Sequence, residues 1–585
     1  MVVLHEWGVR AGLNPHSPRV EYGLHFASLT LAALAAAVVW WSRRRASTWD
    51  ADLLPALIGG LGALTLLTVL HGTPFGVQGI SGDQAFRAAQ ITRFADSWHG
   101  ADYTYRGLPT YYAPAYFWVL GRAADIASVE PWHMLKYGTI VVAFVAPIVS
   151  YLMWRRVVPT RTAALISAAS IVVPVLNEPY AWLAEAVIVP WWLLAIFGVS
   201  RPARRSPNLI VLGLVGAVLF LTYYYYFFLL VIMYGLFLAV QWRLGQLDWR
   251  QVRRSVAILA ISAVGSSPYW APLGWNFLTA PQFESLNNRW MTSHSGDLGL
   301  PMLQLSVVGV LCMVGLLYLI WTVKEALSRA LLIILVSAYL WHGLGFVLAA
   351  VDSPIMSFRM RSIVTLVLLA AATLALIRIT KLAATKLPAI EVRRVAAAGG
   401  IVLAVFAADR YVTATVADTW VQAAHDGTLP SGQLPAYHSS KAKAQLPSAQ
   451  EVDEFIAANY KGAGHPVVLS DRSDLFAFYP YYGFVQFNAN YSHPTARYHD
   501  RLDFLDNAAQ ASTAQDFATQ MRHNQFDTVD VLVLRTNGKS LTFRSSDDAF
   551  PFGNKARVIT IPAHLVHPDH FSITTLNGYV IAVLR

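Results

Sequence analysis

The chain of 585 residues is 55% hydrophobic and 13% charged, about half the charged share of a soluble globular chain, so most of it belongs in lipid. Its formal charge of +10 is uneven: residues 416–585 carry 13 Lys and Arg against 16 Asp and Glu, a net −3, which leaves +13 for residues 1–415. That positive charge lies in short loops between apolar runs, where it encodes membrane orientation; a nucleic-acid partner has no support.

Residues 1–20 are polar and no small-residue cleavage site follows the first apolar run, so no cleavable leader is expected. Apolar runs of spanning length start near Tyr22, Asp52, Met134, Arg161, Tyr180, Asn208, Tyr223, Ser255, Pro301, Leu327, Phe358 and Arg394, about twelve spans in all. The run after Tyr111, "YYAPAYFWVLGRAADIA", is too interrupted for a span and reads as a re-entrant or interfacial helix. The single cysteine, Cys312, sits in an apolar run and excludes an intrachain disulfide. Six alternate loops, from "SRRR" to "RITKLAATKLPAIEVRR", hold 20 of the 31 Lys and Arg of residues 1–415. The positive-inside rule places them in the cytoplasm and puts the loops 72–133 and 276–300, the turn "VDSPIM" and everything after about 416 outside. The expected fold is therefore a polytopic α-helical membrane domain over residues 1–415, a tether at 416–447 and an extracytoplasmic α/β domain at 448–585. In the last, Ser448 and Glu451 form a capping box, "PVVLS", "VDVLVLR", "RVITI" and "YVIAVLR" read as strands, and a helix falls near 513–524.

Chemistry-bearing residues gather in the outer loops. Asp83 follows Gly82 at the start of a helical pattern, where it either caps the helix or projects a carboxylate; its i,i+4 partner Arg87 reads as a surface pair. Tyr103, Tyr105, Tyr111, Tyr112, Tyr116, Trp98 and Trp118 form either an interfacial belt or flat platforms for sugar rings. Glu178 in "LNEPYA", Arg289, His294 and Asp297 in "NNRWMTSHSGD", and Asp352, Arg359 and Arg361 in "VDSPIMSFRMR" face the same side. Arg359 and Arg361 either reach the headgroups or pair with Asp352, or else hold a lipid phosphate through bidentate guanidinium contacts. No HExxH, P-loop, GxGxxG, DxD pair or Cys/His cluster is present, so ATP, nicotinamide and nucleotide-sugar sites have no support. A carboxylate among aromatic platforms at the outer membrane face fits a sugar-handling site fed by a lipid-borne donor. The rival class is a transporter or flippase of a polyprenyl-phosphate-linked sugar, but the internal repeat common in such folds is not seen.

These strings carry a resemblance. "ISGDQAFRAAQITRFADSWHGADYTYRGLPTYYAPAYFW", "NEPYA", "PMLQLS", "YLW", "MSFRMR", "FYPYYGF" and "NYSHPTARYHDR", in that order along nearly the whole chain, resemble the galactan arabinofuranosyltransferases of AftA type. These are GT-C superfamily membrane enzymes of mycolate-bearing Actinobacteria. The resemblance leads to the expectation of an additional N-terminal span that is not read in this sequence, which goes either with an external N-terminus or with a late start codon. The resemblance implies a GT-C fold in the cell membrane, with decaprenyl-phospho-arabinofuranose as donor. The implied acceptor is the galactan of arabinogalactan, primed for arabinan synthesis in cell wall biogenesis. It implies an inverting displacement, for which one general base suffices: the acidic residue of the first external loop, here Asp83. Arg359, with Arg361 and Arg289 near it, would meet the leaving phosphate. Asp102, Tyr103, Glu178, Tyr111, Tyr112 and His294 would contact sugar or acceptor, with Asp102 or Glu178 serving as the base instead if Asp83 only caps its helix. No cofactor is required by this reading, no metal ligand is assigned, and a divalent cation stays possible. The tail brings no further acid–base set, so it is expected to serve acceptor binding; its "FAFYPYYGFVQFNANY" suits either a polysaccharide grip or a packed core.

Overall fold

The computed structural model describes residues 12–44, 49–201, 207–284, 286, 298–549 and 553–585. Among these, eight helices are long and apolar enough to cross a membrane: Pro18–Val39, Trp49–Val69, Pro131–Trp154, Tyr225–Arg243, Trp249–Thr279, Ala326–Ala349, Ser357–Lys386 and Ile390–Val416. Four more apolar helices are shorter: Thr160–Val172, Pro179–Ala195, Leu209–Tyr223 and Val307–Trp321. At a rise of about 1.5 Å per residue these fall short of the roughly 30 Å hydrocarbon core. Length alone therefore supports eight of the twelve expected spans. The chain is a multi-pass membrane protein whose lipid-facing surface is studded with exposed Leu, Val, Ile and Trp.

One end of the bundle collects the basic loops. Arg161 and Arg155 pair with Asp50 and Asp52 at 3.1 and 3.3 Å, and the Arg201 N–H donates to the Arg156 carbonyl. The helix Trp49–Val69 starts at that end and runs to the other, where the Val69 carbonyl meets Nε2 of His425 at 2.9 Å.

At this second end the stretch after Val69 folds into two short helices, Asp83–Asp96 and Ala115–Ala127. They touch closely because Gly121 offers no side chain; a Cβ there would lie 2.7 Å from the Phe94 carbonyl carbon. The interrupted run after Tyr111 is thus a 13-residue helix on the bundle's end. Residues 416–447 are bound to the same surface rather than loose, with Thr73 donating to the Ala424 carbonyl at 2.5 Å and Gln78 N–H to that of Trp420 at 2.7 Å.

The tail carries a seven-stranded sheet. Strands β1 (Val467–Leu469), β2 (Tyr482–Gly483), β3 (Val531–Thr536), β4 (Ser540–Ala549) and β5 (Gly553–Pro562) run in the order β2-β1-β3-β4-β5. Strand β7 (Tyr579–Leu584) pairs with both β3 and β6 (Phe571–Leu576). The capping box is formed, with Glu451 N–H donating to Ser448 Oγ at 3.1 Å and Ser448 N–H to Glu451 Oε2 at 2.7 Å. Sheet and loop are fused: Gly483 N–H donates to the Thr104 carbonyl at 2.8 Å and Thr92 Oγ1 to that of Ala477 at 2.6 Å. Buried Arg501 lies over the Tyr105 ring while pairing with Asp527. Much of "FAFYPYYGFVQFNANY" is therefore core and docking surface, since Phe478, Tyr481, Phe484 and Val485 are buried.

Candidate active site

The helix Asp83–Asp96 begins after Gly82, which adopts φ +54° as its N-cap and so needs the freedom of glycine. Asp83 is the first helical residue and makes no cap bond. Its charge suits the positive end of the helix, and its oxygens are held from outside the helix backbone. Oδ1 accepts from the Tyr491 hydroxyl at 2.9 Å and Oδ2 from Arg87 Nη2 at 3.2 Å. The Asp83 side chain is 42% exposed whereas Arg87 is 1% exposed. The expected surface pair is thus half interior. Arg87 also donates to Glu178 Oε1 at 2.9 Å, the Asn177 carbonyl at 2.9 Å and the Tyr180 hydroxyl at 3.2 Å.

Glu178 precedes Pro179, which opens the next helix with its fixed φ. Its carboxylate is 2% exposed and bridges two cations, Arg87 on Oε1 and Arg359 on Oε2. Burial raises its proton affinity, but the Arg359 and Arg87 guanidinium groups outweigh that and hold the carboxyl below its ordinary value. Arg359 comes from the 3₁₀ turn Ser357–Met360 that feeds the helix Arg361–Lys386. Its partner is Glu178, a residue far away in sequence; Asp352 is exposed. A continuous line, Asp83–Arg87–Glu178–Arg359, therefore joins a half-open carboxylate to a partly exposed guanidinium.

Aromatic side chains wall this line. Tyr112 Oη lies 3.1 Å from Tyr180 Oη, and the Phe86 ring packs on Tyr103, Tyr112 and Tyr491 with centroids 5.2–6.0 Å apart. Tyr103 donates to the Tyr491 carbonyl at 2.6 Å, and burial pushes its phenol above the ordinary range. Tyr111 faces elsewhere, its ring against His493 of the tail and Phe277. The Tyr111 carbonyl accepts from Tyr269, whose ring neighbours Phe220 at the rim of an apolar groove. That groove has a volume of about 270 Å³ and is lined in part by Phe220, Phe227, Leu259 and Trp270.

Asp102 stands apart from this line: its Oδ1 accepts the backbone N–H groups of Thr104 and Tyr105 at 2.9 and 2.8 Å, closing a turn. Arg361 opens its helix beside Gly299. Arg289 and His294 lie outside the described residues, as does Asp297. Among the described residues no group of three or more His, Cys, Asp or Glu is placed to hold a metal ion. Sequence reading missed the roles of Tyr491, Tyr180 and Arg87, although all three lie in strings already singled out: Tyr491 in "NYSHPTARYHDR", Tyr180 in "NEPYA" and Arg87 in "ISGDQAFRAAQ".

A polar line at the end of an apolar helix bundle, roofed by a sheet domain, is the frame in which the family comparison falls. The model for the arabinofuranosyltransferase N-terminal region matches residues 25–408, and that for the arabinofuranosyltransferase A C-terminal region matches residues 421–584. The chain therefore belongs to the arabinofuranosyltransferase family, a family of glycosyltransferases. Similar proteins include galactan 5-O-arabinofuranosyltransferases from Mycobacterium leprae, 26% identical over 91% of this chain and 88% of theirs, and Mycolicibacterium smegmatis, 26% over 95% and 90%. One from Corynebacterium glutamicum is 24% identical over 80% and 72%. The apo crystal structure of ArnT from Cupriavidus metallidurans covers 90% of this chain and 97% of its own at TM-score 0.49 and 14% identity.

Proposed function

We propose that this enzyme moves D-arabinofuranose from decaprenyl-phospho-arabinofuranose to the galactan chain of arabinogalactan, placing the first arabinofuranosyl residues there. The similar proteins named as galactan 5-O-arabinofuranosyltransferases support the acceptor. The observation that carries the chemistry is the line from Asp83 to Arg359. Asp83 removes the proton of an acceptor hydroxyl as its oxygen attacks the anomeric carbon. The bond from that carbon to the donor phosphate breaks, and the phosphate departs with the electron pair. Arg359 meets the developing charge on that phosphate, bidentate where geometry allows. One displacement inverts the anomeric centre. Tyr103 and Tyr112 hold sugar rings, and the apolar groove near Tyr111 suits part of the prenyl chain. Arg361 and Arg289 supplement Arg359 at the phosphate, and His294 contacts sugar or acceptor.

We divide the work as a transferase domain over residues 1–415, a connecting segment at 416–447 and an acceptor-side domain at 448–585. The positive-inside rule puts the basic end in the cytoplasm and this site on the outer face. Because the leaving group is already a phosphate and an arginine can meet its charge, this step does not itself require a divalent cation, and turnover with and without EDTA decides whether one takes part. The deciding experiment supplies labelled lipid donor and galactan oligosaccharide to the purified full chain in detergent. A new arabinofuranosyl–galactan bond formed without vesicles is expected. Translocation of donor in vesicles with no new glycoside would instead establish a flippase.

A further inference from the structure

We propose that Tyr491, delivered by the C-terminal domain, is a positioning residue for Asp83, so that the roof domain completes the catalytic site. This rests on Asp83 being the base. Tyr491 ends a short 3₁₀ turn, Ala489–Tyr491, capped by the Asn488 side chain, which accepts the Asn490 N–H at 2.8 Å. Asn488 is itself tied to β4, its side-chain amide N–H donating to Ser546 Oγ at 2.8 Å. From the other side the loop grips the same residue. Tyr103 donates to its carbonyl at 2.6 Å, and the Phe86 ring packs 5.2 Å from its ring, with Phe487 at 5.5 Å. Backbone and ring are thus fixed by both domains.

What the fixed ring does is aim one hydroxyl. Its O–H donates to Asp83 Oδ1 at 2.9 Å while Arg87 holds Oδ2. A carboxylate has about four lone-pair directions, so these two donors set the plane and rotamer yet leave room for an acceptor hydroxyl on the exposed edge. Asp83 is the first residue of its helix, after a glycine, and its own helix supplies only Arg87. Without Tyr491 the carboxylate is free to swing about the Arg87 contact, and near-attack geometry is lost. The pairing spans 408 residues of sequence, so catalysis is tied to docking of the roof on the loop.

The test is Tyr491→Phe in the purified full chain, which keeps the ring contacts and deletes only the hydroxyl. A lost hydrogen bond to a charged group corresponds to about a tenfold or larger fall in kcat, with KM for donor and acceptor within about twofold and the thermal midpoint kept. In the Asp83→Asn background the same change should add nothing. Normal turnover in Tyr491→Phe alongside an inactive Asp83→Asn would overturn the proposal and leave the base intact. So would a raised acceptor KM with kcat unchanged, which makes Tyr491 an acceptor contact. Normal turnover in Asp83→Asn would instead remove the base assignment itself.

Discussion

Two aspartates of the same loop, Asp83 and Asp102, have opposite fates. Asp83 is half-open, and both its oxygens are held by side chains reaching in from elsewhere, one from its own helix and one from the roof domain. Asp102 is 2% exposed, and its partners are backbone N–H groups two and three residues on. Burial pushes its carboxyl up to about 6, against the pull of those backbone bonds and of Arg93. A carboxylate whose acceptor capacity closes a turn serves the fold; one held at its edges by side chains keeps an edge for substrate. This contrast supports Asp83 as the proposed base, whereas the Asp102 oxygen closes a turn.

The largest effect expected from disturbing this contrast lies at the next carboxylate in the line. Glu178→Gln leaves two guanidinium groups beside a neutral amide in a buried setting. Breaking a buried pair by removing one partner costs about 3–5 kcal/mol. The thermal midpoint should fall by several degrees, and donor binding with it; a midpoint within about 1 °C of wild type would show that solvent reaches this carboxylate freely.

Arg359→Ala should weaken donor binding about tenfold or more, the worth of a charge-assisted contact of about 1.5–3 kcal/mol, and Arg359→Lys should restore only part of it. Donor affinity unchanged in both would make Arg359 a strut for Glu178.

The smallest effect sharpens the comparison at Asp102. Unfolded, this carboxyl ionises near 3.8, whereas folded it keeps its proton to about 6. The folded state therefore binds more protons in that window, and the contribution of Asp102 to stability falls as pH rises from about 4 to about 6. Asp102→Asn keeps an oxygen for the two N–H groups and should flatten that slope, read as thermal midpoint against pH, while turnover stays normal. A steep loss of turnover would move Asp102 into the chemistry.

Hydropathy made the bundle legible because each helix reports its own burial in its own composition. The four strands read from "PVVLS", "VDVLVLR", "RVITI" and "YVIAVLR" were legible for the same reason. Strand β4 was not: "SLTFRSSDDA" buries Leu541, Phe543 and Ser545 but is otherwise polar, and its partner β5 supplies the pairing. At the site, Asp83, Glu178 and Arg359 stood out as charged residues beside apolar runs. Their connections did not. Arg87 reads as an exposed i,i+4 partner until Tyr180, Asn177 and Glu178 close over it. Tyr491 is one tyrosine among many in a tail whose aromatics are mostly core, and only the folded chain brings its hydroxyl to Asp83.

Single-turnover transfer at saturating donor and acceptor, comparing wild type with Asp83→Asn, decides whether Asp83 is the base. The amide preserves size and the contact with Tyr491 but cannot take a proton. A positioned base contributes about 10²–10⁴-fold, so the rate of glycosidic bond formation should fall by that order while donor binding and the thermal midpoint stay near wild type. Bond formation at the wild-type rate would show that Asp83 is not the base and hand the role to Asp102 or Glu178.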